Sequence, residues 1–109
     1  MAKNYYGEGE VIEITAGGVA IASGAVVVIG ARVAIVLGDI PALETGSGAV
    51  TGVWTLKKAA ADAVAQGALL YWDADDFQLT TVAAGNFLAG YAWKAAPGGT
   101  TVAHVKINA

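Results

Sequence analysis

The chain has no cysteine, one histidine, two prolines and little charge. Without cysteine no disulfide can staple the fold, and the thiolate sets typical of structural zinc sites are excluded. At 109 residues the chain can bury a core without such help, because dependence on staples is a feature of domains below about 40 residues. Charged residues are 14% of the total, against a typical ~25%. Two readings fit this shortage: part of the surface is covered by other chains, or a small Ala/Gly-rich domain simply carries few charges. The six basic residues are scattered, with only Lys57 and Lys58 adjacent, and the net charge is −3. A duplex-binding surface needs clustered Lys and Arg to neutralise phosphates, so no nucleic-acid partner is expected.

A long uncharged run is present, from Ile14 to Ala31, and it resumes after Arg32 as far as Leu37 and Gly38. Its length alone would span a bilayer. Gly17, Gly18, Gly24 and Gly30 nevertheless cut it into pieces of strand length filled with β-branched residues, and Arg32 lies inside it. No membrane span is expected. The opening Met1-Ala2-Lys3-Asn4-Tyr5-Tyr6 has no apolar core of the signal-peptide kind.

What is present in abundance is Ala, Gly and Val in short runs punctuated by turns. Residues 1–9 have no periodic pattern and read as an extended N-terminal arm, leaving 10–109 as a single β-rich domain. Residues 10–15 alternate, with Glu10, Ile12 and Ile14 on one face and Val11, Glu13 and Thr15 on the other, which predicts a half-buried strand. A short strand is expected at 19–22. Residues 26–29 and 33–37 are β-branched runs around Gly30-Ala31-Arg32 and predict two buried strands with a tight connection. Residues 42–45 suggest a short strand and 45–48 (Thr-Gly-Ser-Gly) a loop, after which 49–56 alternate again as one strand. Residues 57–66, KKAAADAVAQ, are rich in Ala, lack Gly, and have Thr55 as a candidate N-cap and Gly67 as a candidate C-cap; they predict one short α-helix docked on the sheet. Residues 68–72 and 77–81 flank Asp73-Ala74-Asp75-Asp76, a hairpin with an acidic turn. Strands at 86–94 and 100–108 follow, separated by the Pro97-Gly98-Gly99 turn. The expected fold is mainly β: a small β-barrel or sandwich of about nine short strands with one helix.

The chemical inventory is thin. His104 sits among Val102, Ala103, Val105 and Lys106 in an alternating strand. A triad would also need a nucleophile and an orienting carboxylate, and the serines, Ser23 and Ser47, lack the Gly-x-Ser-x-Gly elbow. Asp73, Asp75 and Asp76 resemble a calcium loop in composition only. The positions that should carry Gly and a bidentate Glu hold Gln78 and Ala84. No Gly-Lys-Ser/Thr tripeptide is present to cradle phosphate, and Gly7-Glu8-Gly9 precedes a strand instead of following one. Trp54, Trp72 and Trp93, with Tyr71 and Tyr91, are expected in core and interface packing. Stacking on sugars is the alternative, which would make the chain a carbohydrate- or ligand-binding β module. No enzyme activity, metal or cofactor is expected.

The order of these pieces is similar to a known pattern. The arm and first strand, Lys3-Asn4-Tyr5-Tyr6-Gly7-Glu8-Gly9-Glu10-Val11-Ile12 running on to Thr15-Ala16, resemble the start of the tailed-phage head-decoration, or capsid cement, proteins. Gly52-Val53-Trp54-Thr55-Leu56-Lys57-Lys58 looks like that family's strand entering its helix. Ala65-Gln66-Gly67 and Leu70-Tyr71-Trp72-Asp73 resemble the helix exit and acidic hairpin, and Gly90-Tyr91-Ala92 with residues 100–107 resembles its ending. The likeness spans essentially the whole chain. The family was formerly of unknown function, and the recombinase label on some members finds no nucleotide-binding loop here. The resemblance implies a β-rich subunit with no catalytic residues, a homotrimer at threefold or quasi-threefold positions, and the major capsid protein as partner. Its place would be the outer capsid surface of the virion, after synthesis in the host cytoplasm. The arm residues Lys3, Asn4, Tyr5 and Tyr6 are the candidate capsid contacts, since tyrosines anchor in pockets at low entropy cost.

Overall fold

A computed structural model describes residues 9–109. The arm, including Lys3, Asn4, Tyr5 and Tyr6, lies outside the described residues save for Gly9. Nine strands form two antiparallel sheets. The first sheet contains β1 (Val11–Thr15), β2 (Val26–Ile29), β3 (Arg32–Val36) and β4 (Thr45–Ala49), in the order β1-β4-β3-β2. The second contains β5 (Val53–Lys57), β6 (Leu69–Asp73), β7 (Gln78–Thr80), β8 (Phe87–Ala92) and β9 (Val102–Ile107), in the order β5-β9-β8-β6-β7.

β3 is the hinge of the packing because both of its faces are buried. Val33 and Ile35 pack against the second sheet, among Leu70, Trp72, Leu79, Val105 and Ile107. Ala34 and Val36 point the other way, into a smaller core with Ile14, Ala16 and Ile40. Strand alternation makes this division automatic, and an uninterrupted apolar run is the sequence that a two-sided strand requires. β2 and β3 join through Gly30-Ala31, with Ile29 opposite Arg32. Gly30 alone of the two has positive φ (60°), the pattern of a type II′ hairpin.

The expected barrel is not closed. The edge strands of the second sheet come together only at one parallel bridge, Lys58 to Leu79. The concave side of that sheet is filled instead by β3 and by Val64 and Ala96, which exchange two 2.8 Å backbone hydrogen bonds.

The predicted helix over 57–66 is absent. Lys57 ends β5, and the residues after it bond to distant partners: Lys58 N to Thr101 O, Ala59 N to Leu79 O, Val64 N to Ala96 O, and Gly99 N to Ala60 O. Lys58 is buried to 1% exposure and its Nζ donates to Ala59 O (2.8 Å) and Asp62 O (2.5 Å). Asp62 in turn accepts from Thr80 Oγ1 and Thr81 N. These long-range bonds replace the i→i−4 ladder, and a segment this short has too little intrinsic helix stability to resist them.

The segment 45–48, expected as a loop, is most of β4, paired with β1 along its length and with β3 at Gly48. Its glycines are steric necessities. A Cβ on Gly46 would lie 2.5 Å from the Ile40 side chain, and one on Gly48 would collide with Ile14. The strand expected over 49–56 is divided: Ala49 ends β4, Gly52 takes φ +104°, and the chain passes to the second sheet at Val53. The strand expected at 19–22 is a single bridge between Ile21 and Ile40, and residues 42–44 form a turn with Leu43 at φ +64°. The acidic hairpin and the Pro97-Gly98-Gly99 turn stand where expected.

Candidate functional site

His104 lies on the outer face of β9, half-buried, while Ala103, Val105 and Ile107 fill the core. Its Nδ1 is 2.8 Å from Thr55 Oγ1, its cross-strand partner on β5. A hydroxyl and an imidazole are therefore in contact, but among the described residues no carboxylate hydrogen-bonds the ring, so the orienting member of a triad has no representative there. Val53, Lys106 and Val102 surround the pair on the same face. This is a polar cross-strand contact on a sheet surface.

Asp73 Oδ1 accepts from Asp75 N and Asp76 N, at 3.0 and 3.2 Å, and so forms an Asx-type turn that closes the β6–β7 hairpin. No group of three His, Cys, Asp or Glu residues able to hold a metal occurs among the described residues. The tryptophans divide. Trp72 is buried, and Trp54 packs on the core with its indole N–H donating to Thr51 O. Trp93 is 47% exposed beside Tyr91, with ring centroids 6.3 Å apart and planes inclined by 35°.

Among the described residues there is an apolar concave feature. A cleft of about 720 Å³ opens beside β2, lined chiefly by Val19, Ile21, Val26, Leu56, Trp72 and Phe77, with Lys57 and Thr55 at its polar side. Val19 is 79% exposed and Phe77 68%. Phe77 also holds φ at +54°, and the 78%-exposed Leu43 holds +64°. Left-handed backbone is uncommon for bulky residues and costs roughly 1–2 kcal/mol. Two large apolar side chains are thus displayed to solvent from strained turns, a pattern of contact surfaces more than of folding cores. No local motif marks this cleft, because its walls come from four separate stretches of chain.

Among the described residues the scaffold is β-rich, its buried side-chain polar atoms all have hydrogen-bond partners, and large apolar side chains such as Val19, Leu43 and Phe77 are exposed. Residues 6–107 match the family model described as phage cement protein, and the chain belongs to that family. No curated protein and no solved structure matches it. The match supports a place in the virion capsid, as the earlier resemblance implied.

Proposed function

We infer that the protein decorates the outer surface of an expanded phage head as a homotrimer and braces the shell against the outward pressure of packaged DNA. Membership of the cement family over residues 6–107 carries this reading. Cementing needs no reaction: a subunit that binds only the assembled lattice stabilises that lattice by mass action. Three linked contacts act together, and avidity exceeds single-site affinity by roughly 10²–10⁴. The arm, residues 1–9, with Lys3, Asn4, Tyr5 and Tyr6, is one adhesive element, carried by the domain of residues 10–109. The cleft with Val19 and Phe77 is a second. Its partner is the major capsid protein, reached from the host cytoplasm during assembly. No catalysis, nucleic acid or membrane enters this role.

The test mixes purified protein with undecorated expanded heads and follows co-sedimentation, then heats bare and decorated heads and records DNA release. Decorated heads retain DNA to a higher temperature. Absence of binding would return the chain to the ligand-module reading, for which the Tyr91–Trp93 pair is the sugar-stacking candidate.

A further inference from the structure

Both edges of the four-stranded sheet end without a neighbouring strand among the described residues. Successive residues of an antiparallel strand turn their N–H and C=O groups alternately to one side and the other. Glu10 O accepts from Val50 N, and Ala16 N donates to Glu44 O. The even-numbered residues of β1 therefore serve β4, and Val11, Glu13 and Thr15 turn their backbone groups outward. On β3, Val36 N donates to Ala25 O while Leu37 N donates to Ser47 O. Ala34 consequently serves β2 through its partner Val27, and the β2 residues with outward backbone groups are Val26 and Val28. Exposed edges of this kind are pairing templates unless charge, proline or a bulge blunts them. β2 reads Val-Val-Val-Ile and has none of these; β1 has only Glu13.

We propose that these two edges join copies of the chain head to tail: β2 of one copy pairs with β1 of the next, and three copies close the ring. The proposal rests on the trimeric reading above and identifies its interface. Strand direction permits it. All neighbours in the order β1-β4-β3-β2 are antiparallel, so β1 and β2 run in opposite directions. Rotation about an axis along the strands preserves direction, and the incoming β1 meets β2 antiparallel. The pleat permits it too. Val26 and Val28 face the second sheet, packing on its core, whereas Val27 and Ile29 face the smaller core. On β1, Ile14 faces the smaller core, so Val11, Glu13 and Thr15 face the same side as Val26 and Val28. Residues with outward backbone groups on the two edges thus share a face, as hydrogen-bonded pairs in one continuous sheet must. Pairing Val28 with Val11 and Val26 with Glu13 lets each pair exchange both bonds.

Charge favours this pairing over either edge meeting itself. Glu13 opposite Val26 stands on the side of Lys57, which lines the cleft beside Val26. Two β1 edges together would bring Glu10 and Glu13 of both copies into one ladder, and like charges across a ladder are destabilising. Two β2 edges together would leave both β1 edges, with the 54%-exposed Val11, uncovered.

The experiment is sedimentation equilibrium and light scattering on the full chain, with circular dichroism as the folding control. Wild type is expected at three times the chain mass. Val28→Pro and Glu13→Pro each remove an outward N–H that no ladder among the described residues uses, a position where edge strands tolerate proline. Both are expected folded and monomeric. Glu13→Lys is expected to weaken assembly several-fold, and Lys57→Glu in the same chain to restore it. This charge pair decides the matter if the proline variants unfold. A monomeric or dimeric wild type, folded proline variants that remain trimeric, or a charge reversal without rescue would overturn the interface. The same proteins are sedimented with undecorated heads: wild type that binds heads without using these edges sinks only the interface, whereas wild type that never binds heads sinks the cement reading.

Discussion

The Asn108 side chain stands in for a β-strand beside Val33. Its Oδ1 accepts from Val33 N at 3.1 Å and its Nδ2 donates to Val33 O at 2.7 Å, as a neighbouring backbone would. The same Nδ2 reaches Val50 O at 2.9 Å. β4 pairs with β3 only at Ile35 and Val36, so the Val33 backbone groups on that side would otherwise lack a strand partner. Asn108 also sits at φ +58°, a conformation that asparagine tolerates better than most residues. One side chain thereby ties the C-terminal end of β9 to the first sheet.

Asn108→Ala is expected to lower stability by about 2–4 kcal/mol, combining lost hydrogen bonds to part-buried groups with left-handed strain. Asn108→Gly removes the bonds and keeps the backbone at ease, and should recover about 1 kcal/mol of that loss. Urea titration of the three proteins measures both terms. Equal stability of wild type and Asn108→Gly would show that the hydrogen bonds contribute nothing.

Glycine positions should respond by steric class. A Cβ on Gly90 would collide with the Lys106 carbonyl on β9, next to the β6–β8 register shift. Gly90→Ala is expected to cost more than about 3 kcal/mol, since the β9 backbone at Lys106 and Ile107 must move. Gly67 has φ +85° with nothing within 4 Å of its would-be Cβ, so Gly67→Ala should cost only about 1–2 kcal/mol of backbone strain. Thermal melts rank them, and a Gly90→Ala protein as stable as Gly67→Ala would contradict the close approach.

Lys58 holds the segment after β5 in place of a helix. Lys58→Met keeps the apolar stem and leaves the carbonyls of Ala59 and Asp62 without their donor, at an expected cost of about 1–3 kcal/mol. Asp62→Ala should cost a similar amount by stranding Thr80 Oγ1 and Thr81 N. The two residues anchor one loop, so the double variant is expected to lose less than the sum. Strict additivity in a double-mutant cycle would argue against a shared anchor.

These contacts also mark where local sequence stopped being informative. The β6–β7 hairpin and β9 were legible because alternation, the Asp73 turn and Pro97-Gly98-Gly99 are local signals. The segment from Lys58 to Gln66 was not, because its backbone partners, Thr101, Leu79 and Ala96, are distant in the chain. The glycines of β4 looked like loop chemistry, yet they answer to Ile14 and Ile40, contacts that only the fold creates. The apolar cleft had no local signal at all, since its walls are assembled from separate stretches of chain. Phe77 betrays it only through its combination of exposure and left-handed φ, neither of which a sequence displays.

Chelation should leave the protein unchanged. Asp73 spends one carboxylate oxygen on the backbone of its own turn. EDTA or added calcium is expected to shift Tm by less than about 1 °C, whereas a structural metal would add several kcal/mol of folding energy and a correspondingly large shift. A drop of several degrees with EDTA would reveal a ligand set in this hairpin or the arm.

The surface anchors allow binding to be separated from folding. Val19 and Phe77 are largely exposed at the cleft mouth, so Val19→Ser with Phe77→Gly removes apolar contact area at little expense to the core. Phe77→Gly also relieves the left-handed strain at that turn. The double variant is therefore expected to melt within about 1 kcal/mol of wild type. Burying a Phe and a Val side chain each contributes about 1.5–3 kcal/mol, so its affinity for expanded heads should fall by at least tenfold if both anchors are covered there. Heads decorated with the variant at the same concentration should then release DNA at a temperature nearer to that of bare heads. Full head affinity in a normally folded variant would place the adhesive surface elsewhere, and deletion of residues 2–8 would become the decisive comparison.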